Sequence, residues 1–101
     1  MTSYAVLCDA LGDSTRREIL EHLRRRPCSV GTLAGSLPVS RPAVSQHLKV
    51  LSDAGLVDHR REGTRNVYHL DPRGLEPLRS WLDGFWQDAL DGFAAYVQQQ
   101  A

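Results

Sequence analysis

The sequence predicts a mainly helical fold carrying one β-hairpin, with the elements in the order α-α-α-α-β-β-α. Three observations predict it. Apolar residues recur at helical spacing up to residue 54, broken by cap and stop residues. Two β-type runs flank Glu62-Gly63. A final stretch from Leu75 to Tyr96 carries a broad apolar band at helical period. With 101 residues the chain fits one domain, 1–101. A core of that size is modest, so association with a second copy would add stability.

Tyr4 to Leu11 reads as a short apolar helix stopped at Gly12. Asp13 suits the N-cap of the next helix, whose inner face is Ile19, Leu20 and Leu23, and Arg24-Arg25-Arg26-Pro27 ends it. Ser29 is a second N-cap, followed by Val30, Leu33, Ala34 and Leu37 at helical spacing, with Pro38 as the stop. Ser40 caps a helix over about 40–54, and Gly55 fits the C′ position after it. Leu56–Arg61 and Thr64–Leu70 form the hairpin, about 56–70. Asp71-Pro72 starts the last helix, an N-cap followed by Pro at N1, running over about 72–98.

The 40–54 helix divides into two faces. Val44, Leu48 and Leu51 stack into one apolar stripe, while Pro42, Ser45, Gln46 and Lys49 cluster on the other side and His47 falls at the border. Only Pro38, Val39 and Ser40 separate it from the helix before, a spacing that suits a helix-turn-helix. A helix-turn-helix backed by a β-hairpin is a winged helix.

Charge separates along the chain although it sums to zero. Residues 1–40 carry five basic and four acidic groups, residues 41–70 five and three, and residues 71–101 two and five. A basic middle and an acidic end fit one face meeting phosphate while the tail serves another purpose. No run is long enough to span a bilayer and no basic-then-apolar leader opens the chain, which predicts a cytoplasmic protein with no membrane partner. Two cysteines without an export signal make a structural disulfide an unfavoured reading. No phosphate-binding glycine loop, metal-ligand spacing or cofactor motif is present. Ser45 and His47 stand two apart on a helix and face differently, so they make no nucleophile–base pair, and no enzyme is expected.

The chain resembles the ArsR-type (arsenic-repressor-like) winged helix-turn-helix regulators. The matching segments are Ala10-Leu11-Gly12-Asp13-Ser14-Thr15-Arg16-Arg17-Glu18-Ile19-Leu20, then Ser40-Arg41-Pro42-Ala43-Val44-Ser45-Gln46-His47-Leu48-Lys49-Val50-Leu51, then Ala54-Gly55-Leu56-Val57, with Arg60-Arg61-Glu62-Gly63 and Val67-Tyr68-His69-Leu70 in the wing. The resemblance implies a homodimeric repressor that binds double-stranded DNA and pairs through its first and last helices. Many such proteins sense metals, but the positions matching a Cys-x-Cys ligand pair beside Cys28 hold Ser29 and Gly31. No His follows His69 to match the ligand set of the last helix. Metal sensing is therefore not carried over.

The residues assigned to DNA are Ser40, Arg41, Pro42, Ser45, Gln46, His47 and Lys49 on the helix and Arg60, Arg61 and Arg65 on the wing. Gln46 has the bidentate geometry for an adenine edge, and Ser45 and Lys49 suit a base or a phosphate. Ser40 and Arg41 stand at a helix N-terminus, where backbone N–H groups receive phosphate. His47 admits a packing role or a phosphate contact. The wing arginines suit the backbone or the minor groove, whereas Arg24-Arg25-Arg26 at a helix C-terminus read first as solvated. The dimer interface is assigned to Leu78, Trp81, Leu82, Phe85, Trp86 and Phe93, because the apolar band of the last helix is wider than one core stripe, and to Tyr4 and Leu7, because the resemblance implies pairing through the first helix as well. Cys8 and Cys28 read first as small buried apolar residues. A thiol-responsive regulator on the same scaffold stays open as an alternative, as does a protein-interaction module that binds no DNA. The signal is illegible: a small molecule, a thiol-reactive agent and a protein effector all stay open.

Overall fold

The computed structural model describes residues 3–100. The elements run α1 (Tyr4–Leu11), α2 (Ser14–Arg25), β1 (Cys28–Ser29), α3 (Val30–Ser36), α4 (Arg41–Asp53), β2 (Val57–Glu62), β3 (Arg65–Leu70), a 3₁₀ turn (Pro72–Leu75) and α5 (Glu76–Gln100). The five helices and the hairpin stand in the order the sequence predicts.

The predicted caps carry the helices. Asp13, Ser29 and Ser40 each accept a hydrogen bond from the backbone N–H three residues on, at Arg16, Thr32 and Ala43. Two arginines close the other end of α1. Arg16 donates to the Ala10 and Asp9 carbonyls at 2.6 and 3.1 Å, and Arg17 to the Leu11 carbonyl at 2.7 Å. The Asp9 carbonyl also accepts the Gly12 N–H at 3.1 Å, and the guanidinium groups add partners for the last carbonyls of the helix, tying α1 to α2.

One core joins the first four helices and the hairpin. Leu7, Ile19, Leu33, Val44, Leu48, Leu51 and Leu56 are its fully buried large side chains. The α4 stripe of Val44, Leu48 and Leu51 is buried as the spacing predicts. After Ala54 the chain turns through Gly55 at φ 81°, with Leu56 N–H donating to the Leu51 carbonyl and Gly55 N–H to the Ser52 carbonyl. This is a Schellman motif with glycine in the left-handed position.

The wing differs from the sequence expectation in two respects. Its tip is Gly63-Thr64, because Glu62 pairs with Arg65 and Gly63 takes φ 63°. Glycine at the first central position is what a type II′ hairpin turn requires. The sheet also has a third strand, in the order β1-β3-β2, with Cys28 opposite Tyr68 and Ser29 opposite Val67. A two-residue strand leaves no periodicity in the sequence.

The last helix begins later than predicted, at Glu76, after the 3₁₀ turn capped by Asp71. At 25 residues it is roughly 37 Å long, and it makes the molecule elongated, 64 × 28 × 21 Å. None of its residues is buried, and among the described residues no helix is long and apolar enough to cross a membrane.

Candidate nucleic-acid interface

The exposed polar face of α4 forms because the opposite side of the helix is anchored. With Val44, Leu48 and Leu51 at 0% exposure, Pro42, Ser45, Gln46 and Lys49 are turned outward and exposed. Ser40 is engaged as the cap, its Oγ accepting from Ala43 N–H. Lys49 reaches Asp53 one turn on at 3.4 Å, an exposed pair that water and salt screen readily.

His47 stands between the two faces. Its side chain is 23% exposed, with Nδ1 3.8 Å from the Asp13 carboxylate. Asp13 in turn accepts the Arg16 N–H at 2.9 Å. That hydrogen bond holds the Asp13 carboxyl below its usual range, and His47 contributes in the same direction. His47 thus links α4 to the start of α2.

The wing presents Arg60, Arg61 and Arg65, all exposed. Arg60 Nε lies 3.1 Å from Glu62, and Arg61 Nε donates to the Gly63 carbonyl at 3.2 Å. Arg65 meets Arg41 across an open cleft of about 580 Å³. Ser29, Val30, Gly31, Thr32, Thr64 and Asn66 complete its lining. The Arg41 guanidinium lies over the first turn of α3, its Nη1 3.8 Å from where a Gly31 Cβ would stand. This lining has two guanidinium groups, three hydroxyls and an amide, and no carboxylate, a set suited to an anion. A neighbouring cleft adds Arg26 and Arg60, together with Glu62.

Sequence reasoning missed Thr32, Thr64, Asn66 and Arg26. Their residue types are ordinary for surface loops, and only the pairing of β1 with β3 brings the wing beside the start of α3.

The assigned interface residues fall in three groups. Leu82, Phe85, Trp86 and Phe93 are 50%, 61%, 67% and 66% exposed and form one continuous apolar face with Leu90, Tyr96 and Val97. Tyr4 and Trp81 instead stack on each other, with centroids 4.8 Å apart and planes 8° from parallel, while Leu78 packs against the core. Leu7 is corrected: at 0% exposure it is inside its own protomer and has no surface left to offer. The inward stripe of α1 is Leu7 and Ala10, so the helix buries those and turns Tyr4 and Val6 outward.

A second correction concerns Cys8, which is exposed, whereas Cys28 is buried with its Sγ donating to the Arg26 carbonyl at 3.4 Å. Both thiols are free. Ser29, at a position where the resemblance would place a metal ligand, is instead the cap of α3, and Gly31 follows beneath Arg41. Among the described residues no three of His, Cys, Asp or Glu are grouped to hold a metal ion.

Residues 13–59 match the family model described as "Bacterial regulatory protein, arsR family". The chain is 58% identical over 91 residues to the HTH-type transcriptional regulator Rv2034 of Mycobacterium tuberculosis, covering 90% of this chain and 85% of that one. It is 32% identical over 76 residues to the transcriptional repressor SdpR of Bacillus subtilis, covering 75% and 84% of the two chains. Its structure superimposes on a homodimeric winged helix-turn-helix DNA-binding domain from Mycobacterium bovis with a TM-score of 0.67 at 27% identity, over 87% of this chain and 82% of that one. Fold, motif order and relatives agree: the chain belongs to the ArsR family of bacterial regulatory proteins, a winged helix-turn-helix transcriptional regulator and not an enzyme.

Proposed function

We propose that this regulator is a cytoplasmic homodimeric repressor that binds an inverted-repeat operator, with α4 in the major groove and the wing on the flanking backbone or minor groove. The observation that carries the reading is the division of α4. Ser45, Gln46 and Lys49 are exposed on a helix whose other face is locked into the core. A helix held that firmly can present side chains to base edges in a fixed register. The Arg41–Arg65 cleft, with no carboxylate in its lining, supports backbone contact beside it.

Pairing through α5 is supported by its apolar face, since a continuous exposed band of aromatic residues is costly in water. A two-fold pair covers that face on both copies at once. The homodimeric state of the Mycobacterium bovis domain and the repressor role of the Bacillus subtilis relative point the same way. Family membership favours DNA over a module that binds protein alone. A thiol-responsive variant of this reading narrows to Cys8, the exposed thiol, and equal DNA affinity with and without peroxide would remove it.

The test is selection of bound fragments from genomic DNA by the purified protein, followed by footprinting of the enriched site. Two protected half-sites about one helical turn, roughly 34 Å, or a small multiple apart are expected. No enriched site would overturn the reading.

A further inference from the structure

Where the 3₁₀ turn meets the end of α4, the polypeptide crosses itself with no side chain between the two segments. Gly74, in the 3₁₀ turn leading into α5, lies against Gly55, the left-handed residue that ends α4. A methyl group built on Gly74 would overlap the Gly55 carbonyl oxygen and stand 2.5 Å from its carbonyl carbon and 3.2 Å from Leu56 N. Both partners are backbone, so no rotamer change could relieve the overlap.

The two segments are pinned on either side of this contact. Asp71 N–H donates to the Leu56 carbonyl at 3.0 Å and Gly74 N–H to the Asp71 carbonyl at 3.0 Å. The Asp71 carboxylate caps Arg73 N–H at 3.1 Å and holds the Arg73 guanidinium through two 3.0 Å bonds. Leu56 and Leu51, which flank the end of α4, are almost completely buried. The 3₁₀ turn runs into α5 without a break.

We propose that the Gly55–Gly74 contact is a positioning contact that sets the separation and tilt of the two recognition helices in the dimer. The inference rests on the proposed pairing through α5. In that pair α5 is fixed to the two-fold axis, and this backbone contact, beside the packing of Leu78 and the Tyr4–Trp81 stack, is where the segment leading into α5 meets the end of α4. A small displacement at this contact, at the root of a helix roughly 37 Å long, moves the reading face relative to the axis. Half-site spacing in a dimeric reader is set by that distance. Gly74 therefore acts on which operators fit while touching no DNA.

The experiment uses the full chain and a panel of operators whose half-sites are moved apart or together one base pair at a time. Gly74→Ala is compared with wild type and with Gly35→Ala, where a new Cβ has nothing within 4 Å. A second variant inserts Gly-Gly between Gly74 and Leu75. It leaves the contact in place and uncouples the helix beyond it, so it tests the same idea should Gly74→Ala fail to fold.

Gly74→Ala is expected to remain a dimer and to keep its affinity for random-sequence DNA. It should lose about tenfold on the wild-type spacing, the scale of one misplaced base contact, and its preferred spacing should move. The insertion variant should accept several spacings almost equally. Gly35→Ala should match wild type. A folded Gly74→Ala, or an insertion variant, that keeps both the affinity and the spacing preference of wild type overturns the inference while leaving the proposed function intact. A wild-type protein that is monomeric, or that prefers no spacing, overturns the proposed function itself and this inference with it.

Discussion

Gln46 and Arg61 illustrate two kinds of contact to be expected from single residues. Gln46 is exposed on the reading face of α4 and has the donor–acceptor pair for an adenine edge. Gln46→Ala should relax base preference at one position per half-site, costing about 1–3 kcal/mol against the cognate base, as competition binding with single-base operator variants would register. Arg61 on the wing should act through charge. Arg61→Ala should weaken binding to all sequences alike. The slope of log affinity against log salt should fall by about 0.9 for each phosphate that is no longer neutralised. Asp13 makes a prediction about stability. Its carboxyl is depressed chiefly by the Arg16 N–H, so its stabilising effect is full above the ordinary carboxylate pKa of about 3.9 and is lost as pH falls below that toward the folded-state value. Asn caps a helix about as well as Asp but does not titrate. Denaturant unfolding of Asp13→Asn should therefore show a flatter acid limb than wild type. The cap is legible in the sequence from its place before an apolar-periodic run. The approach of His47 to that carboxylate is not, because the two residues stand on different helices and no local period relates them.

Among the elements, α4 is legible almost completely in the sequence, since its cap, its Schellman stop and its stripe are local features. The stripe and the reading face are separable by mutation. Leu48→Ala removes a fully buried side chain and should cost about 2–5 kcal/mol of stability in denaturant unfolding. The base preference of the molecules that remain folded should not change, the converse of Gln46→Ala. A Leu48→Ala protein of wild-type stability would show that the core around α4 is not packed as described. The wing is legible as a hairpin, but its tip lies one residue further on than the sequence suggests, because Glu62 pairs as strand and the turn falls on Gly63-Thr64. The strand at Cys28–Ser29 is not legible, because pairing alone makes it a strand. That short ladder lays the wing beside α3 and assembles the Arg41–Arg65 cleft.

For the whole molecule, α5 poses the main question, since none of its 25 residues is buried and its continuous apolar face is left exposed. Phe85 is 61% exposed in the middle of the aromatic face. Phe85→Glu should convert the dimer to monomer in sedimentation velocity and lower operator affinity, with circular dichroism reporting that the winged-helix core stays folded. A variant that remains dimeric would place the interface elsewhere. The order of elements, the buried and the exposed polar faces of α4, and the broad apolar helix at the end are all written in the residues themselves. Each rests on side chains within a few turns of one another, where helical or strand period acts directly. Folding adds that Leu7 faces inward, that Tyr4 stacks on Trp81, that the wing reaches Arg41, and that Gly74 rests on Gly55. Such contacts between distant segments depend on how whole elements pack, and packing distance leaves no period in the chain.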